Sequence, residues 1–538
     1  MACRVSAPAE SRGPAPYVPH PQPAVTDYLI GAYYYPGWDR TDAWDVLLRF
    51  FPERRPLLGW HHVGNPEVVD WQIKWAVEHG VRFFVYDWYW AKGYRRLDEG
   101  LHSGLFQARY QNLIQFCLLY ANHLPFNPED SYSPEDLEKV ARFWIANYFQ
   151  RPNYLKVDGR PVVIIFSPPQ LRKMGEHKIK PTFERVRAMC REAGLAGAYV
   201  CGTCWYPTDE PSPDYWKTLE AMNAEGYDAV TAYTWSGHIG MTPAEIARKQ
   251  SPFAACAEGY RKAWSDIADA KVIKLIPPVS GGWDCRPWAG DAAVARTDRT
   301  PEQFKRHLLD CKAFLDAREQ TPQLKMAIIG AWNEWTEGSY IEPDCTNRFA
   351  YLEAIRQVFA PQSTKPSEVL PADLGLGPYD LPQQPAVTSW DFAHASTTLG
   401  WGSYLGRLQV ADGALRFTTR TYGPVPTSTA VRVPAARYPA FLIRVAASRD
   451  VPARFMWGTP SYGLPTYRIG GKPIRDSEVA PFVDFSIKAS GQPQEIRISL
   501  ADHPLWQGTI TVLQIVAGPE PGKHEGVDIA VYSMQLAE

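Results

Sequence analysis

The chain has 538 residues, 45% of them hydrophobic, with 56 Lys and Arg set against 58 Asp and Glu for a formal net charge of −2. A length of this order exceeds one ordinary domain and suits a large barrel with an accessory module. The balanced, interspersed charge excludes an electrostatic footprint for nucleic acid or an anionic membrane, and no apolar run of about 18 residues is present to cross a bilayer.

Residues 1–26, rich in Pro and Ala, read as a disordered leader. They lack the apolar core of a secretory signal, so a secreted or periplasmic location is expected only if the start is trimmed, and a cytoplasmic one otherwise. From there, strands and helices alternate. Short apolar runs at 28–35, 81–86, 113–120, 161–166, 198–202, 229–233, 272–276 and 327–331 predict strands. Helical spacing and end signals at 65–79, 101–110, 133–149, 182–193, 214–224, 242–267, 300–319 and 351–359 predict the helices. Eight such units argue a parallel sheet closed into a (β/α)8 TIM barrel over 27–362. Residues 363–385, dense in Pro and Gly, read as a linker. Beyond them helical periodicity gives way to short alternating runs split by turns, which predict an all-β, jelly-roll-like sandwich over 386–538. Trp390, Trp401, Trp457 and Trp506 punctuate this module and either bind sugar or fill its core.

In such a barrel the C-terminal strand ends share one face, and that face carries the active site. Polar and aromatic residues fall at these ends. Tyr34, Tyr35 and Trp38 follow the first strand, Asp87, Trp88 and Tyr89 the second, and Asn122 the third. Trp205 follows the fifth, Tyr233 and Trp235 the sixth, and Trp283, Asp284 and Arg286 the seventh. The last strand runs into Trp332-Asn333-Glu334-Trp335-Thr336-Glu337, where two carboxylates sit three residues apart between tryptophans. A carboxylate pair suits glycosidic bond chemistry: one acid protonates the leaving oxygen, and a base or nucleophile stands opposite. A flat aromatic face matches the C–H face of a pyranose, and about half of the Trp and Tyr are expected to serve that way. Glu334 and Glu337 are therefore the expected catalytic pair. The other strand-end residues named, with Asn333 and Trp335, are the expected contacts to an oligo- or polysaccharide.

The 9 Cys are odd in number and scattered, unlike a disulfide framework. Cys201-Gly-Thr-Cys204 has no second pair to complete a zinc site, and it ends a strand where a redox motif would open a helix. The adjacent His61 and His62 cannot both face one ion easily. No metal and no cofactor is expected.

The stretch Ala331-Trp-Asn-Glu-Trp-Thr-Glu-Gly-Ser-Tyr-Ile-Glu-Pro343 resembles the closing motif of the WbsX-like proteins, which are related to the endo-α-1,2-mannosidases of glycoside hydrolase family 99. Tyr34-Tyr35-Pro36-Gly37-Trp38 resembles the first-strand motif of both families, and segments 154–162 and 279–284 resemble WbsX-like ones. The likeness covers about residues 28–360. It implies a retaining, metal-independent hydrolase in which Glu334 is a base toward the substrate 2-hydroxyl, giving a 1,2-anhydro sugar. Glu337 would be the general acid and then the base. Thr336 stands where family 99 commonly has His, so mannose specificity does not carry over with the carboxylates. The sandwich resembles jelly-roll modules attached to polysaccharide-degrading enzymes. WbsX-like proteins have also been labelled glycosyltransferases of surface polysaccharide synthesis. No Asp-x-Asp motif stands at a strand end and no Rossmann glycine fingerprint is visible, which favours the hydrolase. The retained Glu pair speaks against a non-catalytic carbohydrate-binding protein. A monomer is expected.

Overall fold

The computed structural model describes residues 16–39, 43–44, 47–48, 51–91, 94–122, 132–208, 210–289, 293–318, 325–381, 386–403, 408–420, 425–428, 431–458, 481–489, 492–520 and 522–538. Six helix starts share one device. Asn65, Ser133, Ser167, Ser212, Thr242 and Thr300 each accept a backbone N–H with the side chain, and a proline follows each. The cap satisfies an orphan donor, and the proline lacks the N–H that would otherwise stay unpaired there. The longer helices are α1 (Pro66–Glu78), α2 (Pro134–Trp144), α3 (Glu176–Glu192), α4 (Pro213–Glu225), α5 (Phe253–Asp269), α6 (Pro301–Asp316) and α7 (Ala350–Phe359). The expected helix at 101–110 is instead a π turn over Gly100–Gly104 and a 3-10 turn over Leu105–Gln107. A Cβ at Gly104 would lie 2.4 Å from the Val63 carbonyl oxygen, so the chain here follows the packing of its neighbour.

Eight strands are returned by these helices: β1 (Leu29–Tyr34), β2 (Val81–Ala91), β3 (Gln115–Tyr120), β4 (Arg160–Ile165), β5 (Tyr199–Thr203), β6 (Ala229–Thr231), β7 (Pro278–Ser280) and β8 (Met326–Gly330). They pair in parallel in the order β7-β8-β1-β2-β3-β4-β5-β6. A bridge between Val230 and Leu275, just ahead of β7, closes the ring into the expected TIM barrel. The seventh strand thus falls later than 272–276. Pro277 and Pro278 lack the N–H groups that would carry one strand through both segments.

The core follows the period of two. Tyr34 pairs in register with Tyr86, and the two rings stack outside the barrel at 4.4 Å. Tyr33, one residue back, turns inward and packs on Tyr233 at 4.7 Å.

Both ends of the barrel differ from expectation. Within the predicted leader, residues 16–26 pack on the barrel: Val18 is buried, Tyr17 Oη donates to Asp70 Oδ2 (2.6 Å) and Ala24 N to Val77 O (2.8 Å). Polar composition hid the few apolar groups that α1 needs there. Residues 1–15 of that expectation lie outside the described residues. The predicted linker also packs, up to Leu381. Tyr379 Oη donates to Glu67 Oε1 (2.5 Å) and accepts from Trp71 Nε1 (2.9 Å). Asp380 accepts from Trp60 N (2.7 Å) and Arg55 Nη2 (2.6 Å), while Leu370, Leu374, Leu376 and Leu381 lie on the barrel core. The remaining linker residues, 382–385, lie outside the described residues.

The described residues of 389–537 form a six-stranded and a five-stranded antiparallel sheet, the sandwich expected, with one short two-stranded pair besides. Phe441 of one sheet stacks on Phe455 of the other at 4.2 Å. Trp390, Trp401, Trp457 and Trp506 are all buried in this second core, so these four offer no open face to a sugar. The eight described cysteines form no disulfide. Burial pushes the Cys204 thiol up to about 12 and Cys201 well above its ordinary value, so both are core thiols. Among the described residues no helix is long and apolar enough to cross a membrane.

A chain ended at residue 385 is expected to fold, whereas one ended at residue 366 loses the Tyr379 and Asp380 contacts and on the order of 2–4 kcal/mol. Urea denaturation of the two truncations checks this; equal midpoints would show that the segment adds nothing to the barrel.

Candidate active site

The chain leaving β8 doubles back on itself. Asn333–Glu334 pairs antiparallel with Ser339–Tyr340 around one 3-10 turn, Trp335–Glu337. Gly338 closes the turn at φ 60°, and a Cβ there would lie 2.8 Å from Asp284 Cβ, so both conformation and space require glycine. Glu334 and Glu337 therefore project from a tight hairpin with little freedom.

Four sets of contacts hold this hairpin. Asn333 grips the Tyr35 backbone at both ends: Tyr35 N donates to its Oδ1 (2.8 Å), and its Nδ2 donates to Tyr35 O (2.9 Å). Trp38 Nε1 donates to Asn333 O (2.8 Å). Arg54, almost wholly buried, donates from Nη1 to Trp335 O (2.9 Å) and from Nη2 to Asp284 Oδ2 (2.5 Å). Arg299 Nη2 donates to Tyr340 O (2.7 Å). Glycines then let neighbouring strand ends converge. A Cβ on Gly281 would lie 2.5 Å from Gly330 O, and one on Gly330 would lie 2.5 Å from Tyr233 O. That approach brings Tyr233 to Glu334.

Tyr233 Oη donates to Glu334 Oε1 at 2.6 Å and lies 3.3 Å from Asp87 Oδ2. Asp87 and Glu334 are buried, and Glu337 is half-buried with Oε2 enclosed and unpartnered among the described residues. Burial pushes Glu334 up to about 7, against the hydrogen bond from Tyr233. Burial and then the charges of Glu334 and Asp87 hold Glu337 well above the usual carboxylate range. Burial and then Glu334 do the same to Asp87. Burial thus favours the protonated form of all three carboxyls, and a hydrogen bond of 2.6 Å from Tyr233 opposes it at Glu334. Among the described residues no three His, Cys, Asp or Glu side chains are grouped as a metal site.

The other expected contacts divide. Tyr35 and Trp283 are half-buried on this face. Tyr89 is buried beside Ala121 and Leu97. Asp284 is an ion-pair centre rather than a free carboxylate: Arg54 and Arg286 both bind it, and although burial opposes them, they hold it below the usual range. Arg286 is spent on that pair, at 2.7 Å. Asn122 is a positioning residue like Asn333, since its amide pairs with Ser167 N (2.7 Å) and Ser167 O (2.9 Å).

Five expected contacts are core residues with at most 1% of their surface exposed: Tyr34, Trp38, Trp88, Trp235 and Trp335. Tyr34 faces out of the barrel and donates to Gln72 Oε1 (2.9 Å). Trp88 also faces out and donates to Tyr148 Oη (3.1 Å). Trp38 stacks on Trp44 at 4.0 Å, Trp235 Nε1 donates to Cys204 O (2.9 Å), and Trp335 packs on Tyr340 at 4.1 Å. The tryptophans flanking the Glu pair are thus scaffold, and the aromatic excess fills cores more than it serves as platforms. Trp205 is the exception, 60% exposed with one face on His238 at 5.5 Å, beside a cavity of about 300 Å³. Residues that the sequence reading missed are Tyr33, Arg54, Gly281 and Gly330. Strand alternation from Tyr35 could have placed Tyr33 inward; nothing local marks Arg54.

A family model described as Glycosyltransferase WbsX matches residues 52–355. The curated protein described as Uncharacterized protein WxcX, in two strains of Xanthomonas campestris pv. campestris, is 26% identical over 319 residues. That match covers 56% of this chain and 42% of WxcX, so the chain spans less than half the length of the relative. Among solved structures, the GH99 endo-alpha-mannosidase from Bacteroides thetaiotaomicron is similar at 17% identity, covering 62% of this chain and 96% of that one, with a TM-score of 0.43. A structure described as a glycoside hydrolase-like protein is similar at 19% identity, covering 64% and 98%, with a TM-score of 0.46.

Asn333→Ala should cost about 1–3 kcal/mol, because it leaves the Tyr35 N–H and C=O without partners beneath the hairpin. Denaturant midpoints read this directly; an unchanged midpoint would show the clamp to be idle.

Proposed function

The chain belongs to the Glycosyltransferase WbsX family, and from that membership together with the Glu334–Glu337 geometry we propose that it is a retaining glycoside hydrolase acting on an oligo- or polysaccharide without a metal. One observation carries the reading: two carboxyls on one hairpin have unlike surroundings, Glu334 Oε1 accepting from Tyr233 Oη at 2.6 Å while Glu337 Oε2 is enclosed without a partner among the described residues. Glu337 keeps the proton that a departing sugar oxygen needs. Glu334, with the Tyr233 hydroxyl on Oε1, is the group able to ionise near neutrality and take a proton from the sugar. Following the resemblance of the closing motif, that proton comes from the neighbouring 2-hydroxyl, whose oxygen then displaces the leaving group. Water opens the anhydro intermediate with Glu337 as base. Two inversions give retention.

The family's description keeps a second reading open, transfer from a nucleotide sugar. A diphosphate needs cations, and Arg54 and Arg286 near the motif are engaged by Asp284. The two readings separate in one experiment. The hydrolase releases oligosaccharide from a panel of plant, algal and mucin polysaccharides, with a rate unchanged by EDTA. Consumption of a nucleotide sugar, abolished by EDTA, would establish the transferase instead.

Glu337→Gln should cripple natural glycosides and spare activated aryl glycosides, which leave without a proton. Glu334→Gln should lose both, each by on the order of a hundredfold or more. Proton NMR of the first product should show unchanged anomeric configuration, and a 2-deoxy substrate should be inert. Inversion would assign Glu334 to activating water. The pH profile supplies a further check. Since the base must be ionised, kcat/KM should fall as pH drops through about 7, where burial places Glu334, while Glu337 stays protonated across that range. An acidic limb near the ordinary glutamate value would remove Glu334 from the base role.

A further inference from the structure

Tyr233 Oη stands between two buried carboxylates, 2.6 Å from Glu334 Oε1 and 3.3 Å from Asp87 Oδ2. A phenol has one hydrogen to donate. It cannot serve both acids, so if both contacts are hydrogen bonds one carboxyl must bring its own proton and donate to the phenol oxygen. The shorter contact goes to Glu334, which fixes the direction of the Tyr233 hydrogen. Asp87 lies on β2, and its Oδ1 is buried without a partner among the described residues. An ionised carboxylate with one bare buried oxygen carries a large desolvation cost, whereas a protonated one carries only that of a neutral polar group.

We propose that Asp87 is a proton-holding positioning residue: it remains a carboxylic acid, donates to Tyr233 Oη, and through that phenol orients and steadies the carboxylate of Glu334. The chain of donors runs Asp87 O–H to Tyr233 O–H to Glu334. Each donor polarises the next, which strengthens the bond that reaches Glu334. No proton is consumed; the relay is a fixed set of hydrogen bonds. Tyr233 itself is held in place by Tyr33 at 4.7 Å and Phe166 at 5.8 Å, so the phenol cannot swing to another partner. The titratable groups facing Asp87 are Glu334, Glu337, Tyr233 and Tyr33, and those facing Tyr233 are Asp87, Glu334 and Glu337. All are acids, so no cation in this set can hold Asp87 ionised. Burial, which raises Asp87 well above its ordinary value, agrees.

The proposal rests on Glu334 being the working base, but its test needs no turnover. Infrared pH titrations would be recorded on the full chain labelled with 13C-carboxyl aspartate, and separately with 13C-carboxyl glutamate. The expected result is a protonated-aspartate band that persists at pH 7 and disappears in Asp87→Asn. The glutamate that titrates near 7 should keep its midpoint in Asp87→Asn, whose amide still donates to Tyr233. In Tyr233→Phe, which removes the donor to the ionised form, that midpoint should rise by roughly one pH unit. Absence of a protonated aspartate at pH 7 in the labelled wild-type protein would overturn the proposal even if a variant failed to fold. A downward shift of the glutamate midpoint in Asp87→Asn would also overturn it, because only an ionised Asp87 repels Glu334. If the bands behave as expected and no glycan is cleaved, the relay stands and the hydrolase reading alone fails.

Discussion

Three carboxyl groups lie near one another, Asp87 and Glu334 buried and Glu337 half-buried, where ionising all three at once is costly. Asp87, Glu334 and Glu337 are each raised by burial, and the charge of Glu334 adds to it at Asp87 and Glu337. Like charges at short range in a medium of low dielectric cost several kcal/mol, so the cleft settles with protons on the acids that have no hydrogen bond to their charged form. The Tyr233 hydroxyl lies closer to Glu334, at 2.6 Å, than to Asp87, at 3.3 Å. The base and the acid proposed for the pair thus differ by one phenol placed nearest one of three similar groups.

Placing that phenol is what the scaffold does. Gly330 and Gly281 remove the side chains that would keep β6, β7 and β8 apart, and Gly338 lets the hairpin turn over Asp284. Asn333 and Asn122 repeat one device at two strand ends, an amide pairing with both groups of a neighbouring backbone. Arg54 is the instructive cation. It approaches the hairpin closely enough to bind the Trp335 carbonyl, yet its charge is neutralised by Asp284, so it orders the turn without lowering the pair it supports.

How much of this was legible in the sequence follows from what each pattern encodes. Eight alternating units give the barrel because strand–helix alternation is a local signal that repeats. The Glu334–Glu337 pair was legible because it interrupts an apolar strand. Facing was harder. Tyr33, Tyr34 and Tyr35 are chemically alike, so composition cannot say which ring enters the barrel; only register does, and register is a property of the paired strands. The tryptophans misled for a related reason. Trp38, Trp88, Trp235 and Trp335 sit at strand ends, but a barrel this rich in large rings packs them between strand, loop and helix. Residues 363–381 read as linker because Pro and Gly hide the spacing of Leu370, Leu374 and Leu376, which only a preformed barrel surface can use.

The fate of the cations bears on the choice between hydrolysis and transfer. A site for a nucleotide diphosphate keeps basic groups or a metal uncommitted, facing the place where the phosphates will lie. Around this hairpin Arg54 and Arg286 are paired with Asp284, and Arg299 is turned to the carbonyl of Tyr340. The groups described at the cleft itself are acids and a phenol. Such a site offers a diphosphate no uncommitted cation among these groups, whereas a carboxylate can stabilise positive charge that develops on a sugar ring. The pairing of these arginines therefore favours the proposed hydrolysis over transfer from a nucleotide sugar, and it leaves the cleft to acids gathered with one phenol donor among them.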